Sequence, residues 1–415
     1  MGVINDLKQH ILVDGFHVVV DLEKSDGSWV VDKETGRKYL DCYSQFASQA
    51  LGWNYLKFSC PDEIASHKLA NSDMYSEVYR DFVETFARIT PDFKYYFFID
   101  GGALAVENAL KAAFDWKFQL GGKNIVYRDG QNLDVIHLIE AFHGRTGYTI
   151  SLTNTGELKT KWFPKFKWTR ITNPKIHHPI VKGRVENLET LSLQEVKHAL
   201  ESGNVAAIIL EPIQGEGGDN HFRKEYFQEL RKLADDYKAL LIFDEVQTGL
   251  GLTGKMWAYE HFGVVPDILV FGKKTQVCGI ASTTRIDDAP SNVFHTSGRI
   301  NSTWGGNIVD MARATAIINT IEQDNLVENA KLIGLEFKAA LETLPFSEVT
   351  NVRGRGLMIA FDLPNEERRN EVYKKLSENM MSLKCGQRSI RFRPHLTFNL
   401  ADVNMARSFI SDALS

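Results

Sequence analysis

Between Leu240 and Lys274 the chain carries two short apolar runs that each stop on charge. Leu240 to Phe243 end in Asp244, and Ile268 to Phe271 end in Gly272 and Lys273. Short runs of this kind, apolar at every position, read as strands of a parallel sheet buried on both faces. In such sheets ligands sit beyond the carboxyl ends of the strands. The stretch therefore predicts an α/β fold and brings Asp244 and Lys273 to one ligand site.

A lysine able to form a Schiff base, beside a carboxylate able to keep a pyridine nitrogen protonated, is the least that pyridoxal phosphate chemistry requires. Strand-end Asp and Lys residues are also common as solvated or salt-bridged groups, so the rest of the chain has to decide between the two readings.

A length of 415 residues allows two or three domains' worth of core. Hydrophobic content of 43% and charged content of 24% are ordinary for a soluble globular chain. A net charge of −5 argues against nucleic acid as the main partner, because neutralising phosphates needs a basic face. No apolar run approaches the roughly 20 residues that span a bilayer. The start, MGVINDLKQHILVDGF, lacks a signal peptide's apolar core and cleavage site, and the hydroxyl residue expected after a myristoylated glycine. Cys42, Cys60, Cys278 and Cys385 are scattered without a CxxC pair. That spacing suits a reducing cytoplasm and offers neither a zinc site nor a disulfide framework. His177-His178 has no cysteine or carboxylate spacing around it that would suit a metal.

Taken in order, Phe16 to Asp21, Trp29 to Asp32 and Lys38 to Leu40 are predicted strands, the last two joined by a turn at Glu34 to Arg37. Tyr43 to Trp53 is unperiodic, either a connector or a loop that reaches a site. From about Asn54 strands and helices alternate. Tyr95 to Ile99 run into Asp100-Gly101-Gly102, and Val106, Leu110 and Ala113 then keep helical spacing. Strand, glycine turn and helix start present free N–H groups to a phosphate. By itself the signal is weak.

Val135 to Ile139 predict another strand, followed by Phe142-His143-Gly144-Arg145. Phe142 could stack on a flat ring or pack in the core. Arg145 would suit a carboxylate. Val205 to Leu210 end in EPIQGEGGD, and the helix that follows returns to Leu240, forming a right-handed βαβ unit with Glu216 on the same rim as Asp244 and Lys273. One long helical region is expected from about Ile308 to Leu344. Arg391 and Arg393 alternate along a later strand and share a face. Residues 155–200 are the least legible.

The ordered set Gly101-Gly102, Phe142-His143, Asp244, Gln247 and Lys273 resembles the class III (ω-) aminotransferases, over about residues 16–400. The resemblance rests on GGALAVENALKAAFDWK, AFHGRTGYT, EPIQGEGGD, IFDEVQTG, FGKKTQVCG, NSTWGGN and IRFRP. It implies a fold-type I enzyme with pyridoxal phosphate held by Lys273, the lysine that matches the family's glycine–lysine pair, rather than by Lys274. It further implies that Asp244 holds the pyridinium proton, Gln247 bonds the ring's phenolic oxygen, and Phe142 and Val246 pack on the two ring faces. His143 joins this cofactor-binding set. Gly102 and Ala103 would give N–H groups to the phosphate. Thr303, with Ser302, would reach the phosphate of the partner subunit in a homodimer.

Two departures from the commoner pattern fit the branch of the family that acts on lysine. Ala103 stands where relatives often carry a hydroxyl, and Lys274-Thr275-Gln276 replaces a glycine run. The implied reaction moves the ε-amino group of L-lysine to 2-oxoglutarate, giving a 6-semialdehyde that cyclises, and L-glutamate. Arg145 would hold the distant carboxylate of lysine. Arg391 would hold a carboxylate of 2-oxoglutarate beside the cofactor. Glu216 would cover Arg391 when lysine is bound. The expected organisation is a large domain over residues 54–305 and a small domain from 1–53 and 306–415. The competing readings are an ornithine or 4-aminobutyrate donor, and a non-catalytic dimeric binding protein. A dinucleotide oxidoreductase is disfavoured because no GxGxxG follows a strand.

Overall fold

In a computed structural model that describes residues 2–121, 133–181 and 183–415, the apolar runs become the middle of one seven-stranded sheet. Its strands are β1 (Tyr95–Ile99), β2 (Asp134–Leu138), β3 (Arg170–Ile171), β4 (Val205–Leu210), β5 (Leu240–Asp244), β6 (Ile268–Phe271) and β7 (Cys278–Ser282). The spatial order is β1-β7-β6-β5-β4-β2-β3, and β7 alone runs antiparallel to both its neighbours.

Alternation along each strand sends successive residues to opposite faces. Leu241, Phe243, Leu269 and Phe271 join one buried cluster, and Leu240, Ile242, Ile268 and Val270 join the other. Helix α1 (Gly102–Gly121) packs on the second face through Val106, Leu110, Ala113 and Trp116, the spacing the sequence predicts. The chain returns from β4 to β5 through helix α2 (Lys224–Asp236), and those strands pair in parallel. Asp244 pairs in register with Val270. Side-by-side strand ends thus place Asp244 and the turn bearing Lys273 on one rim.

Both chain ends build two smaller sheets. Strand Lys38–Asp41 pairs with Trp29–Val31 and, in parallel, with Met380–Met381. Strands Thr350–Arg355, Met358–Asp362, Leu383–Cys385 and Ser389–Phe392 form the other. Their apolar faces merge with the first cluster of the large sheet, so Leu40, Phe271 and Phe392 share one continuous core.

Two local expectations change, and one open reading resolves. Phe16 to Asp21 form no strand, only a single bridge from Val20 to Asp32. The helical region from Ile308 divides into Ile308–Gln323 and Leu326–Glu342, because Asn325 adopts φ +52 between them. The unperiodic stretch after Cys42 contains a turn in which Ser44, Gln45, Phe46 and Ala47 all take φ between +45 and +63. That conformation costs about 1–2 kcal/mol for each residue with a Cβ, so packing around it must hold it. No described helix is long and apolar enough to cross a membrane.

Candidate active site

Beyond the carboxyl ends of β5 and β6 lies a cavity of about 1140 Å³. Gly102 and Ala103 line it from the turn after β1, and Phe142, His143 and Arg145 from the turn after β2. Asp244, Val246 and Gln247 come from the end of β5, and Lys273 from the turn after β6. Sequence distance between these residues is large; the shared rim of the sheet brings them together.

The two lysines after Gly272 separate. Lys273 faces the cavity, with φ +57 in the tight turn between β6 and β7. Burial and the nearby Arg391 charge push its ammonium down to about 8. Lys274 is buried in the wall, where its Nζ donates to the carbonyls of Ala47 at 2.9 Å and Gln247 at 3.2 Å. Lys274 therefore pins the left-handed turn, and Asp41 holds its start by accepting from Ser44 N–H at 2.7 Å.

Asp244 is 5% exposed, and its Oδ2 lies 2.8 Å from His143 Nδ1. With the proton on Nδ1, His143 donates to the carboxylate and fixes its orientation. His143 Nε2 is buried and has no partner among the described residues. Gly102 packs so closely on Val246 that an added Cβ would stand 3.0 Å from Val246 Cγ1. The first N–H groups of α1 have no intrahelical acceptor, and its start at Gly102 aims them at the cavity rim.

Arg391 and Arg393 both reach the loop after β4. Arg393 grips Asp219 through both guanidinium ends, each partner at most 1% exposed. Arg391 Nη2 contacts Glu216 Oε1, while its Nε and Nη1 are buried without partners among the described residues. Burial alone would raise the Glu216 carboxyl, but the Arg391 and Lys159 charges outweigh it and hold it at about 2. Arg145 is exposed at the rim, and no described carboxylate pairs with it. Ser302 and Thr303 lie on a turn outside this chain's cavity, with Thr303 exposed.

Two contributors escape a reading of the sequence. Glu211, the first residue of EPIQGEGGD, is buried between loops and accepts from Phe142 N–H at 2.9 Å and Gly215 N–H at 3.0 Å. Burial pushes its carboxyl up to about 7. Lys159, on the short helix Glu157–Thr160, reaches Glu216 Oε2 at 2.9 Å. An acid directly after the last residue of a buried strand, followed by a glycine-rich loop, is a usable signal for the first; Lys159 has none.

Residues 13–414 match the family model for Aminotransferase class-III. The chain belongs to the class III aminotransferases. Within that family it is 46% identical to an L-lysine-epsilon aminotransferase of Streptomyces clavuligerus, over 99% of this chain and 93% of the relative. It is 29% identical to the mitochondrial 4-aminobutyrate aminotransferase of Homo sapiens, over 97% of this chain and 86% of the relative. Among solved structures, the lysine aminotransferase of M. tuberculosis superposes with a TM-score of 0.95 at 45% identity, covering 99% of this chain and 98% of that one. As a class III aminotransferase the chain is a fold-type I enzyme whose cofactor is pyridoxal phosphate.

Proposed function

We propose that this aminotransferase moves the ε-amino group of L-lysine to 2-oxoglutarate. The products are 2-aminoadipate 6-semialdehyde, which cyclises to 1-piperideine-6-carboxylate, and L-glutamate. One observation carries the reading: Arg391, a buried guanidinium near Lys273, is covered by Glu216, while Arg145 stands uncovered at the cavity rim. An ω-amine donor brings its carboxylate to a distant cation and an apolar stem to the reacting end. A covered Arg391 suits that stem, because a bare buried guanidinium against methylenes is costly. The 2-oxoglutarate carboxylate beside its keto group suits Arg391 once Glu216 moves. The likeness to lysine aminotransferases at 45–46% identity supports the donor.

The residues present fit pyridoxal phosphate. Lys273 would hold it covalently, with Phe142 and Val246 against its ring faces and Gln247 within reach of its phenolic oxygen. Free N–H groups at Gly102 and Ala103 suit its phosphate. When bound, the cofactor supplies an electrophilic carbon and a protonated ring that accepts an electron pair. Asp244, held by His143, keeps the proton on the ring nitrogen. Lys273 Nζ, once free of the cofactor, would take a proton from the substrate carbon that bears the amine and deliver it to the cofactor carbon on the other side of that nitrogen. A group pushed down to about 8 is half neutral near that pH and suited to both directions of transfer.

Ser302 and Thr303 would complete the phosphate site of a second subunit, which makes a homodimer part of the proposal. So are a cytoplasmic location and the division into a large domain over 54–305 and a small one from 1–53 with 306–415. Pairing of Lys38–Asp41 with Met380–Met381 supports a small domain drawn from both ends.

The test is a half-reaction spectrum. Purified holoenzyme is mixed with L-lysine, L-ornithine or 4-aminobutyrate, without keto acid. Selective bleaching of the cofactor by lysine, with a cyclised product that keeps the α-nitrogen, is expected. Bleaching mainly by another donor would move the substrate assignment.

A further inference from the structure

Glu216 sits between two cations. Arg391 Nη2 contacts Oε1, and Lys159 Nζ lies 2.9 Å from Oε2. The two differ in setting: the Arg391 side chain is 2% exposed, that of Lys159 is 35%. Lys159 also lies 5.3 Å from the centre of the Phe142 ring, so the face of that ring steadies its ammonium. The Glu216 backbone is tied down, because Gly386 N–H donates to its carbonyl at 3.0 Å. Uncovering Arg391 is therefore a rotation of the Glu216 side chain about a fixed backbone.

From these contacts we propose that Lys159 is the second seat of Glu216, a positioning residue for the acceptor half-reaction. The inference rests on the proposed role of Arg391 and Glu216. A carboxylate that leaves Arg391 without another partner would be stranded as a part-buried charge, which opposes the move. Lys159 removes that obstacle in two ways. It shares the carboxylate beforehand, which weakens the hold of Arg391. It can then take both oxygens, since an ammonium has three donors. An equilibrium shifts only by the difference in contact between its two states, and the gain from one oxygen to two is that difference. Lys159 thereby favours the uncovered Arg391 that a dicarboxylate needs, and it does nothing for an amine donor that leaves Arg391 covered.

The two half-reactions of the holoenzyme are to be followed separately by cofactor absorbance. Lys159→Met is expected to raise the apparent KM for 2-oxoglutarate by about three- to fivefold, the scale of a partly exposed ion pair. Its effect on the L-lysine half-reaction is expected to be clearly smaller. Lys159→Arg, which keeps the charge, restores most of the 2-oxoglutarate KM. In a Glu216→Ala background, Lys159→Met adds no further change, because Lys159 acts through Glu216. Equal effects on both half-reactions, or an undiminished effect of Lys159→Met in the Glu216→Ala background, would overturn the proposal. If Glu216→Ala itself moved both half-reactions equally, the reading of Arg391 and Glu216 would fall, and this inference with it.

Discussion

Lys273 and Lys274 are consecutive in the chain, yet one lines the cavity and the other gives its ammonium to the carbonyls of Ala47 and Gln247. Their substitutions should separate accordingly. Lys273→Ala is expected to abolish covalent cofactor attachment and leave the thermal midpoint of the cofactor-free protein near its original value. Lys274→Ala removes the donor to the buried Ala47 carbonyl, at about 1–3 kcal/mol, and to the part-buried Gln247 carbonyl, and frees the left-handed turn. A clear fall in the cofactor-free midpoint is expected, with attachment retained in whatever protein remains folded. The reverse pattern would exchange the two assignments.

Attachment should also depend on pH with a known sign. Only the neutral amine of Lys273 attacks a carbonyl carbon. With its ammonium pushed down to about 8, the neutral fraction falls about tenfold per pH unit below that point and levels off above it. The rate at which cofactor-free protein takes up pyridoxal phosphate, followed by the visible band, should bend near pH 8. A bend near the ordinary lysine value would show that burial does not tune this amine.

Glu211 ties the Phe142 loop to the Gly215 loop with one carboxyl group, and its proton is held more tightly in the folded chain than in the unfolded one. The folded state therefore loses stability as pH rises from about 4.5 through about 7. Glu211→Gln removes that titration. The difference in melting temperature between the two proteins, plotted against pH, should shift in favour of the variant as pH rises through this window. A difference that stays flat from pH 4.5 to 7 would contradict the tight proton.

Gly217 follows the residue that covers Arg391. A Cβ there would stand 2.1 Å from the carbonyl oxygen of Glu140, which a backbone atom cannot yield cheaply. Gly217→Ala should displace the loop, destabilise the fold by about 1–3 kcal/mol and raise the KM for 2-oxoglutarate more than that for lysine. Unchanged kinetics and melting would show the loop to be looser than its packing implies.

The sheet was legible because its strands are buried on both faces, and unbroken apolar runs have few other uses. The rim position of Asp244, Glu216 and Lys273 followed from strand ends alone. Arg391 and Arg393 were placed on one face by a two-residue repeat, and the structure sends both to the loop after β4. The left-handed turn was hidden: Ser44-Gln45-Phe46-Ala47 contains no glycine, and what holds it is Lys274, 227 positions away. Lys159 was hidden for the same reason. Its contact with Glu216 spans 57 positions, from a short helix to the loop after β4, and no local pattern records it. Phe16 to Asp21 failed as a strand because alternation without a neighbouring strand to pair with leaves only one bridge.

The turn that bears Lys273 joins two inner strands of the large sheet, with Phe271 paired to Gly279 across it. Hydrogen bonds within the turn, from Gln276 N–H to the Lys273 carbonyl and from Thr275 N–H to that of Gly272, close it further. The amine of Lys273 is thus a short tether on an immovable post. Its range is the sweep of its own methylenes, because the backbone beneath it cannot follow. Anything the amine lets go stays within its range only while Phe142, Val246 and the helix start at Gly102 keep it in place, so retention of a released cofactor is a property of the walls rather than of the lysine.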